Sequence, residues 1–93
     1  MAVSAVKLHH FAMHKASATV DAGRDLAAVG GAIRVMRKLR ELSQEELADF
    51  AGLDRSHMGR IERGERNVSL LNLLRIARGL DCKLSELFEK SGL

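Results

Sequence analysis

SQEELADFAGLDRSHMGRIERGER, residues 43–66, contains two short helical patterns that a glycine separates. In the first pattern, apolar side chains recur with helical spacing at Leu47, Ala48 and Ala51. In the second pattern, Met58 and Ile61 supply the apolar positions, and arginine is frequent among the others. One short helix of a small domain therefore has much positive charge and little apolar surface. A proposed function for this helix must explain both features.

The ends of the first of these helices are marked in the sequence. Ser43 is followed three positions later by Glu46, which is a capping-box pattern. This pattern predicts a helix over 44–51. Gly52 comes directly after the last apolar position, where a residue in the left-handed conformation commonly ends a helix.

The second helix has its own end signals, and its packing against the first follows from residue size. Asp54 is placed to cap a helix over 55–63, and Gly64 is placed to close it. Ala48 occupies the point where a larger side chain would push the two helices apart. A small residue, a turn glycine and spaced aliphatic residues are what a helix-turn-helix requires, because its helices cross closely at a steep angle.

The rest of the chain from residue 30 onward continues the helical spacing. We predict a first helix over 30–42, a fourth that Ser69 caps and Gly79 ends, and a fifth over 84–90. The residues predicted to face inward in these three helices are Ile33, Met36, Leu39, Leu70, Leu73, Leu74, Ala77, Leu84, Leu87 and Phe88. The sequence therefore predicts an all-α fold, with a compact five-helix domain over 30–93.

Residues 1–29 are predicted to form an N-terminal extension. The first twenty residues contain neither an acidic residue nor an arginine. This composition shares some features with a transit peptide and is equally compatible with an extended arm. The run from Asp21 can add turns to the first helix, but Gly23, Gly30 and Gly31 each cost about 1 kcal/mol relative to alanine in a helix.

The overall composition limits the functional classes. A chain of 93 residues suffices for one small domain, and a net charge of +3 permits a nucleic-acid partner without requiring one. All three aromatic residues are Phe, which argues against a stacking surface for single strands. No apolar run approaches the roughly 20 residues of a membrane span. The single cysteine, Cys82, excludes an internal disulfide, fits the reducing cytoplasm and is predicted to be a buried apolar filler.

The sequence contains no pattern that suggests catalysis or a cofactor. Ser43 and Ser69 are interpreted as helix caps, and no Ser/His/Asp or Cys/His set has a sequence context suggesting catalysis. His10 and His14 have the i, i+4 spacing of helical metal ligands, with His9 beside them, but no Cys, Asp or Glu is near enough to complete a shell. We therefore expect a surface cluster of histidines, no bound metal and no enzyme activity.

The helix over 55–63 has two different faces when its residues are placed at about 100° intervals. Met58 and Ile61 lie on one face, and the opposite face carries Arg55, Ser56, Gly59, Arg60 and Arg63. The major groove of B-DNA admits an α-helix, and arginine can donate two hydrogen bonds to O6 and N7 of guanine. We interpret Gly59 as a residue that lets the helix approach the groove closely. The alternative is that glycine arose there by neutral drift at an exposed site. The face as a whole is predicted to bind DNA, against the alternative of an ordinary solvated surface.

Several blocks match a known family in order along the chain. They are IR-x-x-R in the first helix, LSQEELA, the glycine turn, IERGER, N-x-S-LLNLLRIA and L-SELF. With these blocks, residues 30–90 resemble the Cro/C1-type helix-turn-helix regulators, also called the XRE family. The resemblance implies a lambda-repressor-like fold that binds double-stranded DNA. LDRSHMGRIERGERNVSLLNL is especially similar to the controller proteins of restriction–modification systems, and generic regulators and some antitoxins share much of it.

The resemblance implies a role for each matched position. The residues expected to contact base edges are Arg55, Ser56 and Arg60. Those expected at the sugar-phosphate backbone are Gln44, His57, Arg63, Arg66 and Asn67. An ion pair between Arg37 and Glu62 is expected to tie the first helix to the recognition helix. Alternatively, Glu62 and Glu65 could simply neutralise the charges of Arg63 and Arg66.

The predicted function is transcriptional regulation by a homodimer that binds a near-palindromic operator, with no cofactor. The C-terminal helix is the expected dimer interface, and Leu84, Leu87, Phe88 and Leu93 are expected to lie either on this surface or in the core. Two alternatives are an antitoxin whose N-terminal arm binds a protein partner, and a ligand sensor that uses the histidines of the arm. Val68 replaces a proline common in the family, which predicts a less stiff loop. Lys83 replaces a common capping residue, which predicts a weaker start to the fifth helix.

Overall fold

A computed structural model describes the backbone of residues 2–93 and the side chains of residues 21–93. All regular structure in that range is helical, in the order α1 (Ala2–Leu39), α2 (Gln44–Ala51), α3 (Arg55–Glu62), α4 (Leu70–Gly79) and α5 (Leu84–Ser91). The predicted all-α, five-helix fold is confirmed. None of the helices, over the part searched, is long and apolar enough to cross a membrane. The histidine cluster at positions 9, 10 and 14 lies outside the described side chains.

The first helix starts much earlier than the predicted range of 30–42. It begins at Ala2, so the boundary expected between residues 29 and 30 lies inside one continuous helix. Gly30 is accommodated there because a Cβ at this position would collide with the carbonyl oxygens of Ile61 and Glu62 at the end of α3. The prediction was wrong because it counted the low helix propensity of glycine and could not include this close packing.

The same helix also ends earlier than predicted. Glu41 has a φ of 59°, and the N–H of Leu42 donates to the carbonyl of Arg37 at 3.1 Å, which closes the end of α1. Leu39, predicted to face the core, lies in this last turn and is 66% exposed. Leu70 is likewise 64% exposed because it occupies the first turn of α4. Both residues had the correct spacing but lie beyond the reach of the core.

The capping box at the start of α2 is confirmed. The Ser43 hydroxyl accepts a hydrogen bond from the N–H of Glu46 at 3.0 Å, and the Glu46 carboxylate accepts one from the N–H of Ser43 at 2.9 Å. The hydrogen bond from the Ser43 N–H to the carboxylate, and next the interaction of the Ser43 hydroxyl with the same carboxylate, lower the pKa of Glu46. Gly52 ends the helix with a φ of 72°. The turn between α2 and α3 therefore has the left-handed residue that the sequence predicted.

The recognition-helix candidate α3 is also bounded by its predicted residues. The Asp54 carboxylate accepts from the N–H of His57 at 2.7 Å, and α3 ends at Glu62, one residue before the predicted end. Gly64 has a φ of 74°, and a Cβ there would lie 2.7 Å from the Cα of Ala27. Helix α1 therefore crosses directly over the end of α3, which fixes the position of α3 in the domain.

The core is formed by apolar side chains from all five helices. The largest fully buried side chains are Ile33, Leu47, Met58, Ile61, Ile76, Leu80 and Leu87. Ala48 and Ala51 are also buried, as the close crossing of α2 requires. Of the two positions expected for Leu87, core or dimer surface, the structure shows the core, because this residue is 0% exposed and packs within its own subunit. Leu84 and Phe88 are partly buried against the same core, whereas Leu93 is 61% exposed.

The start of α5 shows how the chain departs from a standard cap. Lys83 occupies the N-cap position, where its ammonium cannot accept a hydrogen bond. Glu86 compensates in part, because its carboxylate accepts from the N–H of Lys83 at 3.0 Å. Cys82 is partly buried against the core, and burial, followed by the nearby Glu86 charge, raises the pKa of its thiol. This environment suits an apolar filler and not a reactive thiolate.

Candidate nucleic-acid interface

The start of α2 and the outer face of α3 together form a shallow open concavity of about 580 Å³. It is lined by Gln44, Asp54, Arg55, Ser56, Gly59, Arg60 and Arg63. Residues at the N-termini of both helices, Gln44 of α2 and Asp54 and Arg55 of α3, line this part of the surface, and helix N-termini favour anions. The concavity is therefore a surface with clustered hydrogen-bond donors and three guanidinium groups.

The three residues expected to contact bases are all accessible. Arg55, Ser56 and Arg60 are exposed on α3. Within residues 21–93, the guanidinium groups of Arg55 and Arg60 make no ion pair and no hydrogen bond to another residue. Both cations are therefore free to bind an anionic or acceptor-rich partner without first breaking an internal contact.

Ser56 is held by the residue that caps its helix. Its hydroxyl donates to the Asp54 carboxylate at 2.9 Å, and the same carboxylate oxygen accepts from the N–H of His57. The hydrogen bond from the backbone of His57, and next that from Ser56, lower the pKa of Asp54. The serine hydroxyl therefore has a fixed orientation, with its oxygen lone pairs available on the open side.

The ion pair predicted between Arg37 of α1 and Glu62 of α3 is present and is almost completely buried. The Glu62 carboxylate accepts from Arg37 Nε at 2.7 Å and from Arg37 Nη2 at 3.0 Å, a bidentate geometry. Arg37 is 8% exposed and Glu62 is 6% exposed. The remaining guanidinium nitrogen of Arg37 donates to the Leu42 carbonyl at 2.9 Å. The pair therefore has enough partners to offset the removal of two charges from water.

Glu62 also fixes a residue of the concavity. The side-chain amide of Gln44 donates to Glu62 at 3.0 Å, which links the start of α2 to the end of α3. This contact was not predicted, because the two residues are 18 positions apart and no local pattern relates them. Gln44, expected at the DNA backbone, therefore reaches the concavity with its side chain already oriented by a buried carboxylate.

Gly59 lies under two side chains, so it is not an empty gap on the surface. It is buried, and a Cβ at this position would lie 3.1 Å from Nη1 of Arg63 and 3.6 Å from Oε1 of Gln44. Nε of Arg63 is in turn 2.5 Å from a carboxylate oxygen of Glu65. The glycine thus provides the space in which the Arg63 guanidinium lies against α3. The burial of Gly59 does not fit neutral variation at an exposed site, whereas its role in close approach to a groove stays a prediction.

The other three predicted backbone contacts lie outside the concavity. Arg66 and Asn67 are exposed in the turn between α3 and α4, and His57 is partly buried on α3. The structure therefore brings together Gln44 with the arginines and serine of α3, and places a second basic position beyond the end of that helix.

Comparison with known proteins agrees with this geometry. The helix-turn-helix family model HTH_3 matches residues 33–87, more than half of the chain. The chain belongs to the helix-turn-helix family. Control protein C.SmaI of Serratia marcescens is 41% identical over 61 residues, covering 66% of this chain and 73% of that protein. Control protein C.MunI of Mycoplasma sp is 48% identical over 60 residues, covering 63% of this chain and 81% of that protein.

A solved structure extends the likeness to three dimensions. The crystal structure of the restriction–modification controller protein C.AhdI from Aeromonas hydrophila is 52% identical, with a TM-score of 0.68, and covers 69% of this chain and 97% of that chain. This helix-turn-helix protein is a DNA-binding regulator of transcription. The comparisons favour that function over the antitoxin alternative. The exposed arginines of α3 therefore lie on the helix that such domains use for recognition.

Proposed function

We propose that two copies of the chain bind a near-palindromic DNA operator, each placing α3 in the major groove. The observation that supports this most is that Arg55, Ser56 and Arg60 lie exposed on one helix face, and that neither guanidinium group makes a hydrogen bond or an ion pair within residues 21–93. In the proposed complex, the two α3 helices enter half-sites about 34 Å apart, one turn of the duplex. A single subunit makes too few base contacts for a long site, so two-fold symmetry doubles the sequence that is read.

The proposed contacts divide into base readout and backbone positioning. Arg55 and Arg60 donate to guanine O6 and N7, and Ser56 contacts an adjacent base edge. Phosphates accept hydrogen bonds from Gln44 at the start of α2 and from the positions around and beyond α3, which are His57, Arg63, Arg66 and Asn67. The positions of Gln44, Arg55, Ser56, Arg60 and Arg63 around the concavity support this division, and the contacts proposed for the other three residues rest on the family resemblance.

The proposed dimer uses the C-terminal part of the subunit. Leu93 is 61% exposed, and Leu84 and Phe88 are partly buried, so these three residues retain apolar area that a partner can cover. Leu87 takes no part, because it lies entirely in the core. We expect the subunits to associate through α5, which leaves α3 of each subunit facing the duplex.

The names of the relatives suggest the regulated genes. C.SmaI and C.MunI are control proteins, and C.AhdI is a restriction–modification controller. We infer that this chain acts in the cytoplasm on the operator of a restriction–modification gene set. The proposal predicts that its operator lies beside genes for an endonuclease or a methyltransferase.

Selection of bound sites from a pool of random duplexes tests this function directly. We expect a pair of inverted half-sites to be enriched, and fluorescence anisotropy to show that the purified chain binds the enriched duplex at least about 10³-fold more tightly than random DNA. Sedimentation should show two chains on each duplex. Equal affinity for enriched and random duplexes, or enrichment of a single unrepeated site, would refute the proposal.

A further inference from the structure

Glu65 forms an ion pair with one cation of the recognition face. Its carboxylate lies 2.5 Å from Nε of Arg63, and both side chains are more than half exposed. Arg63 Nη1 meanwhile lies over Gly59, in the concavity. The guanidinium thus lies against α3, paired with a neighbour only two residues away, whereas Arg55 and Arg60 have no ion pair among the side chains of residues 21–93.

We propose that Glu65 is a specificity-determining positioning residue, which restrains Arg63 and thereby weakens binding to non-operator DNA. Sequence-independent binding depends almost entirely on the number of phosphates that mobile cations neutralise. An arginine paired with a carboxylate contributes little to that number, because a phosphate must first displace the carboxylate and then lie close to it. The proposal rests on the proposed function, since it requires that α3 faces DNA.

The same restraint acts differently on operator DNA. In the proposed specific complex, α3 is held in one register on the duplex. Arg63 and Gln44 line the same concavity, and the Gln44 side-chain amide donates to the Glu62 carboxylate at 3.0 Å. Two carboxylates therefore position two donors around Gly59 before DNA arrives, which reduces the cost of ordering them on binding. Removing the Glu65 charge should strengthen random binding and leave operator binding nearly unchanged, so the ratio of the two affinities should fall.

The test compares two isosteric substitutions that remove the same charge. Glu65→Gln removes the restraint, and Asp49→Asn, at an exposed position on α2, is the matched control. Affinities are measured by anisotropy over a range of salt concentrations, with a duplex enriched by the wild-type protein and a random duplex of equal length. Each substitution is also made in the Arg63→Ala background, which removes the restrained cation.

We expect Glu65→Gln to raise affinity for the random duplex about fivefold at low salt, with its log–log salt slope steeper by about 0.9, as one added phosphate contact requires. Asp49→Asn should raise both affinities equally and by less than twofold. In the Arg63→Ala background the two substitutions should behave alike. If Glu65→Gln changes both affinities equally, or keeps its effect without Arg63, the inference is overturned. A wild-type protein that does not discriminate between the duplexes would instead overturn the proposed function.

Discussion

Replacing Glu62 by alanine should destabilise the domain far more than the loss of a surface ion pair. The substitution leaves Nε and Nη2 of Arg37 without their acceptors, in a site where the Arg37 side chain is only 10% exposed. Breaking a buried pair by removing one partner costs roughly 3–5 kcal/mol, against about 0–1 kcal/mol for an exposed pair. Small domains are stable by about 5–15 kcal/mol, so this variant should lose a large share of its stability.

Urea unfolding followed by circular dichroism measures this loss. We expect the midpoint to fall with an unchanged m-value, and Tm to fall by more than about 10 °C. A second variant, Arg37→Met combined with Glu62→Leu, removes both charges and should recover most of the lost stability, because no uncompensated charge stays buried. The reasoning fails if Glu62→Ala costs less than about 1 kcal/mol, or if the double variant is no more stable than the single one.

Three further predictions concern the recognition face, the α1–α3 crossing and the α3 cap. Arg55→Ala or Arg60→Ala should weaken operator binding by about 1–3 kcal/mol and relax selection at one base pair, which repeated site selection would detect; equal losses on random DNA would contradict this. Gly30→Ala should destabilise by about 1–3 kcal/mol in urea unfolding because its Cβ meets the carbonyl oxygen of Glu62 at 2.6 Å. Gly31→Ala, with open space around it, should stabilise by about 0.5–1 kcal/mol. Because hydrogen bonds lower the folded pKa of Asp54, its contribution to stability is present above the unfolded pKa near 3.8 and is lost as pH falls through the lower folded value. The free energy of unfolding of Asp54→Asn should therefore differ most from that of the wild type above pH 4. A difference in this free energy that stays constant from pH 2 to pH 6 would contradict the role of the Asp54 carboxylate as the cap of α3.

The parts of the fold that the sequence predicted well depend on interactions between near neighbours. The capping box at Ser43, the left-handed turn at Gly52 and the Asp54 cap all join residues within three positions or depend on the conformation of one residue. The arginine-bearing face of α3 was also predictable, because helical periodicity alone separates it from Met58 and Ile61. The Arg37–Glu62 ion pair was expected only from a family resemblance, since 25 positions separate the two residues.

Tertiary structure decided the rest, because contacts between distant residues change what a local pattern means. Glycine lowers helix propensity at any interior position of a helix. At position 30, however, the absence of a Cβ lets α1 pass close to the backbone at the end of α3, and the helix continues through this residue. Leu87 and Leu93 are both apolar residues near the end of the chain, yet one is fully buried and the other is 61% exposed. Local chemistry determined the recognition helix and its ends, whereas three-dimensional packing determined the length of α1 and which apolar side chains remain for a partner.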